Sequence, residues 1–388
     1  MRSKVLVASF FVATACLLPS AQADSKLRSS RIVAADQQAV FPMEWRRDLV
    51  RSGVHRTVGF SAGRPCVSVR HRMVVVGTGE SNLMGLSADD GEEVWVKNFD
   101  AEFDAFCTLA TLGDGREVAL ASSRDGTFRA VTVLDGLQIW GMTFSGESRS
   151  VPVVTEEGVL VSTVTNELAL LDVESGKVRW KQQRPAPNGM TVQGHATPVV
   201  HAGVVYTGFS DGYVAAYRLE SGDQVWSRPL SISAGRFGDV DASPVIVGDR
   251  LVVASYAVGL FGLALDTGET RWQQPIENVT QLAFSRDVLL AGTGDGVVIR
   301  INANTGAEEH RTTMPGGPLS SFVMERGLAI FGAGENGLIV LDARTGKPMQ
   351  ATALKGEAPS APSYSSLGLF VLGSRGDIYK FKVPSAGL

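Results

Sequence analysis

Cysteine and histidine are scarce, with three and five copies among 388 residues. That leaves little material for a structural zinc cluster, which takes four such ligands per site. An excess of charge of one sign is equally missing: 36 Lys and Arg stand against 40 Asp and Glu, a formal charge of −4. Nucleic acid therefore meets no global electrostatic attraction and is not expected as a partner. Long apolar runs are absent beyond the first two dozen residues, which argues against later membrane-spanning helices. What is abundant is glycine. Its 43 copies exceed the roughly 7% of average usage and are spread along the whole chain, as many tight turns require.

The exceptional apolar run is at the start. Residues 1–23 place Arg2 and Lys4 before Val5–Leu18, followed by Pro19 and the small-residue ending Ala21-Gln22-Ala23. This is the pattern of a secretory signal peptide, and the run is shorter than the roughly 20 residues of a membrane span. Two processing outcomes remain open. Cleavage near Ala23 leaves a soluble chain, whereas Thr14-Ala15-Cys16 resembles the end of a bacterial lipoprotein signal and would make Cys16 a lipid anchor. Either places the mature protein outside the cytoplasm. Residues 24–41 then read as a linker and 385–388 as a short tail.

A repeat fills 42–384. The segments ADDGEEVW, VLDGLQIW, DVESGKVRW, RLESGDQVW, LDTGETRW, NANTGAEEH and DARTGKPMQ put Gly91, Gly136, Gly176, Gly222, Gly268, Gly306 and Gly346 at spacings of 38 to 46 residues. Four positions beyond the first five glycines stand Trp95, Trp140, Trp180, Trp226 and Trp272, with His310 and Gln350 in the same register of the last two. Nine or ten residues ahead of these glycines comes a second turn signal: Gly126, Gly212, Gly259, Gly296 and Gly337, with Ser81 and Asn166 as variants. Short alternating segments such as YVAAYRL and GVVIRIN lie between and read as strands. Each unit is thus four antiparallel strands, unable to bury both sheet faces alone.

After Gly376 one strand, GDIYKFKV, remains without a closing hairpin, while Trp45 in FPMEWRRDLV occupies an orphan strand near the start. Seven complete motifs and one blade shared between the ends imply an all-β, eight-bladed β-propeller whose N-terminal strand completes the C-terminal blade. The tryptophans are expected to fill the wedge between blades, with His310 standing in for one of them. The motif glycines need little more than permissive backbone angles. Asp172, Asn302 and Asp342 are expected to bond turn amides. Cys66 and Cys107 stand near the start of the innermost strands of neighbouring repeats. The Gly113–Gly115 turn either absorbs the offset between them, permitting a disulfide, or leaves them beyond bonding reach.

The loose repeat AxDxxTGxxxW over residues 86–350 resembles the quinoprotein-type propeller repeat, and the stretch from Gly235 to Trp272, with DVD followed by a small pair and a Val-rich run, resembles the BamB family of outer-membrane protein assembly factors. The resemblance extends over roughly residues 42–384. It implies a non-enzymatic, cofactor-free propeller on the periplasmic side of the outer membrane of a Gram-negative bacterium. That propeller docks on the POTRA domains of a BamA-like assembly protein, with unfolded outer-membrane proteins as candidate clients. It also implies docking residues in two loops: Met190, Val192 and Gln193 in the first, where Gln193 replaces the family's basic residue, and Asp239 and Asp241 in the second. From the residues alone, the two aspartates read rather as turn caps ahead of Pro244.

Eight such blades also describe pyrroloquinoline-quinone alcohol dehydrogenases, so a quinoprotein-type oxidoreductase, or another periplasmic binding propeller, is the alternative. Redox propellers of that type use an adjacent cysteine pair and long insertions around the cofactor, whereas Cys66 and Cys107 are far apart and the repeats stay short. His-Glu-x-x-His and phosphate-loop motifs do not occur.

Overall fold

The computed structural model describes residues 39–50, 63–103, 107–148, 150–185, 196–230, 238–314, 317–334, 337–355 and 360–384. The signal pattern and Cys16 lie outside them. Thirty-two strands form eight four-stranded antiparallel sheets arranged as the blades of a propeller. Blade 1 is typical: Cys66–Ser68, Met73–Gly77, Asn82–Ser87 and Glu93–Asn98 run in order from the inside to the outside. Its first strand lies against the first strands of both blade 2 (Cys107–Thr111) and blade 8 (Ser363–Ser365), so the ring is closed around its axis.

Blade 8 is built from both ends of the chain. Met43–Asp48 pairs antiparallel with Asp377–Phe381 and supplies the missing outer strand. The register carries a signature of equivalence. In each of the seven hairpins, the residue just before the Trp, His or Gln position is skipped by the ladder, as Val94 is between Glu93 and Trp95. The N-terminal strand skips Glu44 between Met43 and Trp45 in the same way. Such a bulge adds local twist and re-aims the following side chain, here toward the next blade.

There the ring meets glycine. Trp95 packs on Gly136, Trp140 on Gly176, Trp180 on Gly222, Trp226 on Gly268 and Trp272 on Gly306. Trp45 packs on Gly91, and His310 on Gly346 as its replacement. Four of the indoles donate to a carbonyl of the same turn, at Val133, Val173, Leu219 and Leu265, each at 2.8 Å. Permissive angles are therefore only half of what the motif glycines provide. Gly136 has φ +67°, and a Cβ there would come within 2.6 Å of the Trp95 ring. We expect Gly136→Ala to cost more than the roughly 1 kcal/mol of a strained turn, because the wedge must also shift. Urea unfolding of this variant against a control at Gly115, where φ is +86° and the space around an added Cβ is open, separates the two contributions.

At the boundary of blades 7 and 8 the ring gives way to an amide. Gln350 accepts from the backbone N–H of Phe41 at 2.7 Å and donates to the Phe41 carbonyl at 2.9 Å. Phe41, at the end of the expected linker, is buried with 2% exposure. Asp172, Asn302 and Asp342 bond their turn amides as anticipated, Asp342 accepting from Thr345 N at 2.7 Å and Asp172 from Ser175 N at 2.9 Å. Cys66 and Cys107 are joined in a disulfide, their Cα atoms 5.3 Å apart. Each opens the first strand of its blade, so the bridge staples blade 1 to blade 2.

Candidate docking face

Strand direction divides the loops between two faces. Turns between second and third strands emerge together with the connections from one blade to the next, while the other two hairpin turns emerge opposite. The two loops singled out in the sequence are both blade-to-blade connections. Met190, Val192 and Gln193 belong to the connection between Val178–Gln183 of blade 3 and Val199–His201 of blade 4, at positions outside the described residues. Asp239 and Asp241 lie between Gln224–Pro229 of blade 4 and Val245–Val247 of blade 5.

The aspartates are not equivalent. Asp239 is buried at 1% exposure, and its carbonyl accepts from Tyr256 N at 3.0 Å. Asp241 is partly exposed. Between them Val240 is buried, donates its N–H to the Phe209 carbonyl at 3.2 Å and packs on Gly208, where no Cβ would fit. Strand-like alternation around a buried valine does not by itself reveal which aspartate stays partly exposed; the packing of blade 4 against the segment decides it.

Asp241 lines a small pocket shared by blades 3, 4 and 5, together with Ser162, Asn166, Glu167, Phe209 and Ser210. Ala196, where the first connection returns to the described chain, lines the same pocket. Hydrogen bonds tie the connections to one another. Thr197 accepts from Val151 N at 3.2 Å, and Thr197 N donates to Ser243 Oγ at 3.0 Å. At the pocket floor, Glu167 is 2% exposed. Burial pushes its carboxyl upward, but Lys181 at 2.8 Å and Ser145 at 2.8 Å outweigh that effect, and the net shift is downward, which keeps it ionised at neutral pH.

A profile of the family described as outer membrane protein assembly factor BamB matches residues 43–141, 107–308 and 261–366. The chain belongs to the BamB family. Family proteins named outer membrane protein assembly factor BamB include one from Shewanella oneidensis, 27% identical over 64% of this chain, and one from Yersinia pestis, 23% identical over 77% of it. The matches span 65% and 79% of those relatives' own lengths. The crystal structure of BamB from Moraxella catarrhalis superposes with a TM-score of 0.72 at 20% identity, covering 88% of this chain and 99% of that one. That likeness supports the eight-bladed fold of the BamB family.

Several features of the face were not foreseen. Ser210 bonds Asn166 of the previous blade, and Asp211, besides accepting from Tyr213 N at 3.2 Å in its own turn, bonds Arg184 at 2.8 Å. The one available signal was that Asn166 stands where five repeats have glycine. Its φ is +62°, as that pattern requires. The disulfide, for its part, bridges two blades, unlike the adjacent cysteine pair of redox propellers. Among the described residues no group of His, Cys, Asp and Glu is placed to hold a metal ion.

Proposed function

We propose that this protein is a non-enzymatic scaffold of the outer-membrane β-barrel assembly machinery, lying on the periplasmic side of the outer membrane and docking on the POTRA domains of a BamA-like protein. Family membership supports the role. The observation that carries the docking surface is the convergence of two connections on one face: Ala196 and Asp241 line a common pocket, and Thr197 is hydrogen-bonded to Ser243. In this reading Asp241 offers its carboxylate to a basic side chain of the partner, a charge-assisted and directional contact. Asp239, being buried, holds the segment in place, Met190 and Val192 supply the apolar side of the contact, and Gln193 adds a polar group beside them.

Titration of a soluble POTRA segment against folded variants tests the face. Asp241→Arg replaces attraction with repulsion and is expected to weaken binding by at least about 30-fold, with the circular dichroism spectrum unchanged. Met190→Asp should weaken it comparably by placing a charge in an apolar contact. Gln193→Arg, which restores the family's basic residue, is expected to leave affinity equal or improved. Unchanged affinity in both Asp241→Arg and Met190→Asp would remove this face from the docking model.

A further inference from the structure

We propose that Asn166 and Arg184 are positioning residues for docking: they clamp the root of the connection from blade 3 to blade 4 across the boundary between those blades and hold the docking face in its binding-competent geometry. The inference rests on the docking reading above and assigns it two residues that make no direct contact with the partner.

Asn166 works from the turn between the second and third strands of blade 3. It is 3% exposed. Its side-chain amide donates to the Pro185 carbonyl at 3.0 Å, and its oxygen accepts from both Ser210 N at 3.0 Å and Ser210 Oγ at 2.8 Å in blade 4. Its own carbonyl receives the backbone N–H of Arg184 at 3.1 Å. Arg184 continues the bridge. The guanidinium bonds Asp211 at 2.8 Å and Ser227 Oγ at 3.3 Å, and lies 4.0 Å from the centre of the Tyr213 ring, all in blade 4. The ion pair is well shielded, with side-chain exposures of 16% and 12%, so it is screened less than a surface pair. Stacking on an aromatic face further fixes the planar group.

Among the equivalent turns only that of blade 3 carries an amide, blade 1 having the short hydroxyl of Ser81 at φ +64°. Gly126, Gly212, Gly259, Gly296, Gly337 and Gly376 occupy the matching positions with positive φ and no side chain. A left-handed backbone costs less for asparagine than for most residues, but it favours glycine. Retention of asparagine in the blade that launches the first docking connection is explained by what its side chain holds, namely Pro185 and Ser210. The return end of that connection is anchored separately, Ser162 Oγ donating to the Ala196 carbonyl at 3.4 Å and Thr197 N to Ser243 Oγ. A root fixed at both ends raises the fraction of molecules ready to bind, and the apparent affinity rises with that fraction.

Asn166→Gly is the clean test, since glycine accepts the existing backbone angle and only the side-chain bonds are lost. With the POTRA segment as probe, Asn166→Gly and Arg184→Ala are each expected to weaken binding about tenfold while the thermal transition stays cooperative. The loss should fall on the association rate with the dissociation rate nearly unchanged, because fewer molecules start in the competent state. A residue that merely stabilised the fold would not produce that split. Arg184→Lys, which keeps the charge but not the planar stack, should recover part of the loss. Wild-type association rates in both Asn166→Gly and Arg184→Ala, alongside severe loss in Asp241→Arg, would overturn the clamp and leave the docking face standing. Wild-type binding in Asp241→Arg as well would overturn the docking reading and the clamp with it.

Discussion

Deleting residues 24–50 should abolish cooperative folding of the whole ring rather than fray one blade. The strand Met43–Asp48 is the outer strand of blade 8, and its removal strips Asp377–Phe381 of a ladder partner. Backbone bonds from Lys382 N to the Pro42 carbonyl and from Leu49 N to the Gly376 carbonyl go with it, both at 2.8 Å. Three packing contributions are lost as well. Phe41 and Leu49 are buried, each worth about 1.5–3 kcal/mol, and Trp45 leaves Gly91 of blade 1 without its wedge. Asp377, 0% exposed, would lose Arg46, which donates to it at 2.7 Å, and keep Lys355 at 3.8 Å, so a buried carboxylate is left with a weaker pairing, which is destabilising. Because the ring shares its packing blade to blade, the newly exposed edge of Asp377–Phe381 also invites pairing with other chains. Thermal circular dichroism and size-exclusion chromatography of the truncated protein check this. A single cooperative transition near that of the intact chain, from a monomer, would refute closure as the source of stability.

The next largest effect is expected from the disulfide. Cys66 and Cys107 are 41 residues apart in sequence, and a cross-link of that span removes up to about 4 kcal/mol of chain entropy from the unfolded state. The bridge also acts where blades 1 and 2 meet at the inner edge, beside Trp95, Phe103 and Val131 in a common apolar cluster. Both cysteines are buried, at 3% and 5% exposure, so a reductant reaches them only when the blades part. The double variant Cys66→Ala with Cys107→Ala should unfold in guanidinium at a clearly lower midpoint, a loss of about 2–4 kcal/mol. The wild-type protein should match it only after reduction in denaturant. Equal midpoints for the oxidised wild type and the double variant would show that the staple adds nothing to a ring already closed by blade 8.

Much of the architecture is legible in one dimension because a propeller blade is a local object. Each hairpin pairs residues a few positions apart, so the spacing of Gly91, Gly136, Gly176 and their equivalents marks every blade, and an unfinished last repeat beside the orphan Trp45 locates the closing strand. Local turn chemistry was equally readable, since Asp172, Asn302 and Asp342 bond amides two or three residues away.

Contacts between blades are another matter. The recurring Trp announces the wedge, as in Trp95 to Val133, but bonds such as Asn166 to Ser210 join residues some 40 positions apart whose identities vary from repeat to repeat, and no periodicity in the chain encodes them. Sequence alone determined eight blades, their order and the strand that closes them. Tertiary structure decided that Cys66 meets Cys107, that Gly136 has no room for a Cβ against Trp95, that Gln350 holds Phe41 where a ring and a glycine meet elsewhere, and that Asp239 is buried while Asp241 is partly exposed. The physical reason is the same in each case: burial and bond geometry depend on how one twisted sheet packs on the next, a distance that the pattern within a single sheet does not contain.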